Sequence, residues 1–258
     1  MNNIVVALPA YNEETGLPKL LDKIIAVQAS VERPFEVIVV DDGSTDRTGE
    51  ILKDYEQRYP FMTVITHRKN KGLGEAMKTI FHFLLDRYDD KDILITLDAD
   101  NTHHPKIIPA LVEKIEAEQL DLVVASRFTR GGKEMGLSPL RKVYSRGARL
   151  FFKMFFPISG VYDYSSGFRA YRLGAVRQAF ARYEGKMITS NGFDCMVEIL
   201  ARFSKLDIKA GEYPLVLEYH LKETPSKMKV IRTITGYFSL LRRVKKPVGL
   251  SDEREVYE

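Results

Sequence analysis

The chain has 258 residues, 45% of them hydrophobic and 29% charged, which supports one large domain or two small ones and excludes a disordered or low-complexity protein. The formal net charge is +4, and the one cysteine, Cys195, excludes an internal disulfide and fits a core thiol in a reducing compartment. No run reaches the ~20 apolar residues needed to span a bilayer, and the chain enters a strand pattern so early that no room is expected for a signal peptide.

Ile4 to Leu8 reads as a buried strand stopped by Pro9. The loop Pro9-Ala10-Tyr11-Asn12-Glu13-Glu14 and a helical pattern over Leu17 to Val27 follow. Phe35 to Val40 is a second strand, ending in Asp41-Asp42. Gly43-Ser44-Thr45-Asp46 makes the turn, with Thr45 or Asp46 as N-cap of a helix through Tyr59. Met62 to Thr66 is a third strand, and Asn70-Lys71-Gly72-Leu73-Gly74 opens a helix over Glu75 to Arg87. Asp92 to Leu97 is the fourth strand. A helix after His104-Pro105 runs to Glu118, and Asp121 to Ala125 is the fifth strand. This alternation predicts an α/β fold, a mostly parallel sheet with helices on both faces. Ligands bind such sheets outside the carboxyl ends of the strands. Pro9 to Glu13, Asp41-Asp42, Asp98 to Asp100 and Ser126-Arg127 all fall at such ends.

Asp98 and Asp100 end an apolar run with only Ala99 between them. In an extended segment their side chains share a face. Two close carboxylates repel unless a divalent cation sits between them and an anionic ligand. Oxygen-only ligands point to Mg²⁺ or Mn²⁺ rather than zinc. An isolated Asp-x-Asp is more often a solvated turn; the convergence of four polar strand ends is what argues for a site.

These motifs, Pro9 to Glu14, Val40 to Asp46, Asn70-Lys71-Gly72 and Asp98-Ala99-Asp100, resemble the successive motifs of GT-A-fold (Rossmann-like) family 2 inverting glycosyltransferases. Asp163-Tyr164-Ser165-Ser166-Gly167-Phe168-Arg169 and Pro225-Ser226-Lys227-Met228 narrow the resemblance to the dolichyl-phosphate mannose synthase-like branch. The resemblance implies that Pro9, Ala10, Tyr11, Glu13, Val40 and Asp42 hold the base and ribose of a nucleotide-sugar. It implies that Asp98 and Asp100, with Ala99 between, carry the metal at the diphosphate, that Arg127 lies near the donor, and that Lys227 closes over its phosphates. Arg141 and Ser145 match positions that bind the acceptor phosphate, and i, i+4 spacing puts both on one helix face. Two departures stand out. Thr102 occupies the place where the family often has Gln, and His220 and Lys222 stand where it commonly has Arg. His103 and His104 read as loop or cap residues rather than ligands.

The second half is basic. Eight Lys/Arg lie between Arg127 and Lys153 against Glu134, and eight between Lys222 and Lys246 against Glu223. Leu137 to Phe156 and Lys227 to Lys246 read as basic amphipathic helices with aromatics on the apolar face, the pattern of interfacial membrane elements. The alternatives are that both faces pack on the domain or meet in a homodimer. Nucleic acid is a poor fit, because no recognised motif is present and acidic strand ends repel phosphate backbones. Trp is absent, so the Gln-x-x-Arg-Trp motif of processive polysaccharide synthases is missing, which argues for single-sugar transfer.

The expected organisation is a catalytic domain over 1–218 that includes the 137–160 interface region, an acceptor loop and amphipathic helix over 219–246, and a tail over 247–258. The expected activity is metal-dependent, inverting transfer of one hexose to a polyprenyl phosphate, dolichyl or undecaprenyl. It is placed on the cytoplasmic face of a membrane, reached through the basic helices directly or through a membrane-protein partner. Mannose from GDP-mannose is the family-weighted donor, with glucose from UDP-glucose as alternative. For a soluble glycan or protein hydroxyl acceptor, Asp163, Asp194 and Glu198 are the candidate bases, though Asp163 also suits bracing the Gly167 turn. A non-catalytic nucleotide-sugar-binding module and a nucleotidyltransferase are the remaining readings; the second usually opens with a Gly-rich loop, and Pro9 to Glu14 has no glycine.

Overall fold

The computed structural model describes residues 2–136, 139–221 and 230–244, the side chains of 139–142, 230–232 and 234 excepted. In chain order the first half contains β1 (Ile4–Ala10), α1 (Leu17–Gln28), β2 (Phe35–Asp41), α2 (Thr48–Arg58), β3 (Met62–Thr66), α3 (Leu73–Leu85), β4 (Ile93–Thr96), α4 (Ile108–Ala117) and β5 (Leu122–Ser126). The second half contains β6 (Lys133–Met135), α5 (Pro139–Phe155), β7 (Arg169–Arg172), α6 (Leu173–Arg182), α7 (Asp194–Phe203), β8 (Ala210–Pro214), β9 (Val216–Glu218) and α8 (Val230–Arg243).

Seven strands form one sheet in the order β3-β2-β1-β4-β7-β5-β8, and β6 pairs with β9 in a small second sheet. β7 runs antiparallel between β4 and β5; every other pairing is parallel. The inner strands are apolar on both faces because helices cover both. Val5, Ala7, Ile38, Val40 and Leu94 pack toward α3 and α7, whereas Ile4, Val6, Leu8, Val37 and Val39 pack toward α1 and α4.

Three of the boundaries that differ from the sequence expectation shape the cleft. β1 continues through Pro9 to Ala10. Ala10 O accepts from Asp42 N (2.8 Å) on the β2 side, so Pro9 faces the β4 side, where pairing has already ended at Ala7 and Thr96. Its missing N–H therefore breaks no ladder bond. α2 begins at Thr48 rather than after Asp46, because Asp46 Oδ1 accepts from the Thr48 amide (3.0 Å) and holds the chain in a turn first. β4 stops at Thr96, so Asp98 lies beyond the strand and Ala99 and Asp100 lie in a turn, with Asn101 following at φ 60°.

Candidate active site

A cleft of about 530 Å³ opens at the carboxyl ends of β1, β2 and β4. Pro9, Ala10, Tyr11 and Glu13 form one wall, Asp42 lies after β2, and Asp98, Ala99 and Asp100 lie after β4. Asn70, Gly72 and Leu73 at the start of α3, residues 191–194 before and at the start of α7, and Thr233 of α8 complete it.

The two loops after β1 and β2 are tied to each other. Asn12, at φ 51°, donates its amide to Ser44 Oγ (3.0 Å), and its Oδ1 accepts from Thr45 N (2.8 Å). Glu13 N donates to Thr48 Oγ1 (2.8 Å), Glu14 N to Asp46 Oδ2 (3.2 Å), and Arg47 N to Glu14 Oε2 (3.0 Å). Asp46 is held below the usual carboxylate range: burial opposes ionisation, but the hydrogen bonds from Thr48 and the Glu14 amide outweigh it.

Among the acids of the cleft, Asp100 Oδ1 accepts from the Thr102 hydroxyl (2.6 Å) and amide (3.2 Å). Thr102 is 3% exposed, so the residue at the family's Gln position serves as a brace for Asp100. The Asp98 carboxylate lies against Gly167, where a Cβ would stand 2.7 Å from Oδ1. His103 Nδ1, buried without a hydrogen-bond partner among the described residues, is 4.0 Å from Asp98 Oδ2. Among the described residues no group of three His, Cys, Asp or Glu side chains can hold a metal. Two oxygen ligands without a third suit a hard cation that keeps water and phosphate oxygens in its shell, and do not suit zinc.

Other expected site residues lie elsewhere. Val40 is fully buried in the core behind the cleft and does not line it. Arg127 is also absent from the lining: its Nε and Nη2 each lie 2.7 Å from the Asp163 carboxylate, Nη2 donates to Ser165 Oγ (2.6 Å), and Glu134 is 3.6 Å away. Asp163 is fully buried and also accepts from the Arg127, Ser165 and Ser166 amides. Burial alone would raise its pKa; Arg127 and the Ser165 hydrogen bond together hold it below the usual carboxylate range. Asp163 thus braces the turn before Gly167. Glu198, also fully buried, accepts from the Thr189 and Ser190 amides and from Arg202, an arrangement that fixes the loop ahead of α7. Of the three candidate bases, only Asp194 lines the cleft, and its Oδ2 accepts from Arg243 of α8 (3.2 Å). Ser145 lies on α5 with its Oγ buried and unpartnered among the described residues. The Arg141 side chain and all of Lys227 lie outside the described residues.

Residues 191–193 went unnoticed in the sequence because they carry no charge. The legible signal was glycine. A Cβ on Gly74 would stand 1.7 Å from Ser190 O, and one on Gly72, at φ 95°, 2.4 Å from Asn191 O. Both glycines admit the 190–192 loop against the start of α3.

A mostly parallel sheet with a carboxylate-lined cleft at its carboxyl edge defines a protein of the GT-A-like α/β class. Residues 5–180 match glycosyl transferase family 2, and the chain belongs to that family. A dolichol-phosphate mannosyltransferase of Pyrococcus furiosus is 32% identical over 255 residues, 96% of this chain. The chain spans 65% of that relative's length. An undecaprenyl-phosphate mannosyltransferase of Micrococcus luteus is 30% identical over 213 residues, 82% of each chain. Among solved structures, glucosyl-3-phosphoglycerate synthase of Mycobacterium tuberculosis, in complex with Mn²⁺, UDP and phosphoglyceric acid, superposes with a TM-score of 0.65 at 21% identity. That match covers 93% of this chain and 78% of the other.

Proposed function

We propose that this chain transfers a single hexose, with inversion, from a nucleoside-diphosphate sugar to a polyprenyl phosphate at a membrane surface. One observation carries the reading. The cleft that holds Asp98 and Asp100 is walled by Thr233 of α8, and α8 leaves Phe238 and Leu241 exposed beside Arg242. The carboxylates of the cleft and a basic apolar surface thus meet at α8. The relatives named for lipid-phosphate mannosyl transfer support this acceptor class. Mannose from GDP-mannose is the donor proposed, with UDP-glucose as the alternative.

Asp98 and Asp100 would hold Mg²⁺ or Mn²⁺, which when bound neutralises the diphosphate and favours its departure; the Mn²⁺ and UDP of the mycobacterial synthase are consistent with that. Pro9, Ala10, Tyr11, Glu13 and Asp42 would hold the nucleoside, and Lys227 would approach its phosphates. Arg141 and Ser145 would receive the acceptor phosphate. That phosphate is already anionic near neutral pH, so positioning suffices and no strong base is required. Arg127, locked onto Asp163, contributes by shaping the backbone of this region rather than by reaching the donor. A hydroxyl acceptor would need a base, and Asp194 is the residue on which that second reading rests.

Among the described residues no helix is long and apolar enough to cross a membrane. Peripheral attachment on a cytoplasmic face is proposed through α5 and α8, with α8 as part of the 219–246 acceptor unit beside the 1–218 catalytic unit. A homodimer through the same helices is the competing use of that surface. The test is a thermal-shift panel of nucleoside-diphosphate sugars with Mn²⁺, followed by transfer assays to short-chain polyprenyl phosphate in anionic vesicles. The true donor gives the largest stabilisation by mass action. No shift with any donor, or transfer only to a soluble acceptor, overturns the reading.

A further inference from the structure

Asp42 is 3% exposed, yet it lines the cleft. Its Oδ1 accepts from the Lys71 amide (3.0 Å) and lies 2.7 Å from His67 Nδ1; its Oδ2 accepts from the Gly72 amide (2.8 Å). His67 follows β3 and is 7% exposed, and its own amide donates to Asp41 O (2.9 Å). The far ring nitrogen, Nε2, is 2.9 Å from Thr79 Oγ1 on α3. A carboxylate only accepts, so Nδ1 must be the donor to Asp42 whether the ring is neutral or charged. In the neutral ring, Nε2 then accepts from the Thr79 hydroxyl. Asp42 thereby selects the tautomer, and the Thr79 hydroxyl, able to donate or accept, satisfies the far nitrogen and holds the ring in place.

A carboxylate offers about four acceptor positions, and three are taken by these contacts. Among the described residues Oδ1 carries two of them and Oδ2 one, so the acceptor capacity left for a ligand is on Oδ2. A partial rotation of the carboxylate would stretch bonds on both oxygens; His67 on one and Gly72 on the other oppose it. We propose that His67 is a positioning residue for nucleoside recognition. It fixes the orientation of Asp42 so that Oδ2 meets an N–H of the donor's base or a ribose hydroxyl. The family resemblance assigns His67 no role. The inference rests on the nucleotide-sugar reading, and its test separates the two.

Asn and Gln divide the two functions of the ring, because Asn Nδ2 stands near the place of His Nδ1 and Gln Nε2 near that of His Nε2. Binding of GDP, UDP and inorganic pyrophosphate, each with Mn²⁺, is measured by calorimetry on wild type, His67→Asn, His67→Gln and His67→Ala. His67→Gln and His67→Ala should weaken the preferred nucleoside diphosphate about tenfold, the loss of one charge-assisted hydrogen bond. His67→Asn should stay within about threefold of wild type, since it restores the donor. Pyrophosphate affinity should hold throughout. If pyrophosphate binding falls in parallel, His67 is only a structural support and the proposal is overturned. Equal affinities for the Asn and Gln variants overturn it too, and this pair decides the matter should His67→Ala fail to fold. If wild type binds pyrophosphate but neither nucleoside diphosphate, the nucleotide-sugar reading falls and takes this proposal with it.

Discussion

The loops that close the cleft and the outer faces of α5 and α8 use their side chains in opposite ways. In the loops, Asn12, Glu14, Ser44, Asp46 and Thr48 are bonded to one another's backbone, so the polar groups are consumed in fixing the shape. On the helices, Val143, Leu150, Met154 and Phe238 stand 62%, 65%, 64% and 59% exposed. Their neighbours are wholly enclosed: Phe152 packs edge-on against Tyr237 at 4.8 Å, and Leu240 is fully buried. The loops have lost their conformational entropy at folding, which lowers the cost of binding a ligand. The helices keep apolar area in reserve for a second surface. Preorganisation and reserve are thus separated in the fold, and they meet at Thr233 and at the Arg243–Asp194 contact.

The largest effect should come from the cleft. Asp100→Ala should lower transfer by roughly 10³-fold, the several kcal/mol that a bound cation contributes to charge stabilisation. Circular dichroism should be unchanged and melting lowered only by the loss of the Thr102 hydrogen bonds, because Asp100 is partly exposed in a turn. Full activity of this variant in excess chelator would remove the metal from the cleft side of the comparison. Next comes the brace behind the cleft. Arg127→Met leaves Asp163 buried without its cation, and should cost roughly 3–5 kcal/mol in urea unfolding while leaving donor affinity nearly unchanged. The reverse result, weak donor binding at full stability, would return Arg127 to the donor. The same pair predicts acid sensitivity. Asp163 has a folded pKa below its ordinary 3.8, so its contribution is present above that value and is lost as pH falls through the lower folded one.

On the helices the test is a pair of adjacent leucines. Leu240→Ala should destabilise by about 2–5 kcal/mol. Leu241, 41% exposed, should tolerate replacement within about 0.5 kcal/mol. With Phe238→Ser, however, Leu241→Ser should weaken sedimentation with anionic vesicles at least about tenfold, given roughly 1.5–3 kcal/mol for burying each side chain. Unchanged vesicle binding together with loss of a dimer in solution would assign the reserved surface to a second copy.

What the sequence revealed follows the same division. Buried parallel strands are long apolar runs that end abruptly, so the polar ends of β1, β2 and β4 were legible, as was their convergence. Local signals misplaced boundaries where a partner decided the outcome: Pro9 stays in β1 only because β4 has ended beside it. Arg127 could not be assigned from sequence, since its partner Asp163 lies 36 positions away and is known only once the chain has folded. Nor were residues 191–193 visible, being uncharged and brought to the cleft by contacts with Gly72 and Gly74. The exposed and buried halves of α5 and α8 share one periodicity, so the pattern announced amphipathic helices without saying how much of each face would be covered.

The smallest effect sharpens the comparison most, because it concerns a departure from the family pattern. Thr102 cannot reach as far as the Gln it replaces; it donates to Asp100 Oδ1 from within hydrogen-bond distance and is itself buried. Thr102→Val keeps the shape and removes that donor, at a cost of about 1 kcal/mol. The loss should appear as an approximately fivefold rise in the Mn²⁺ concentration that half-saturates binding, read from the metal's own paramagnetic signal, with kcat at saturating metal nearly unchanged. Thr102→Gln tests the same point from the other side. If a longer amide tightens the metal, Thr102 is a weaker substitute for a ligand. If it loosens the metal, this chain gains its affinity by holding Asp100 still, and preorganisation extends from the loops after β1 and β2 to the metal itself.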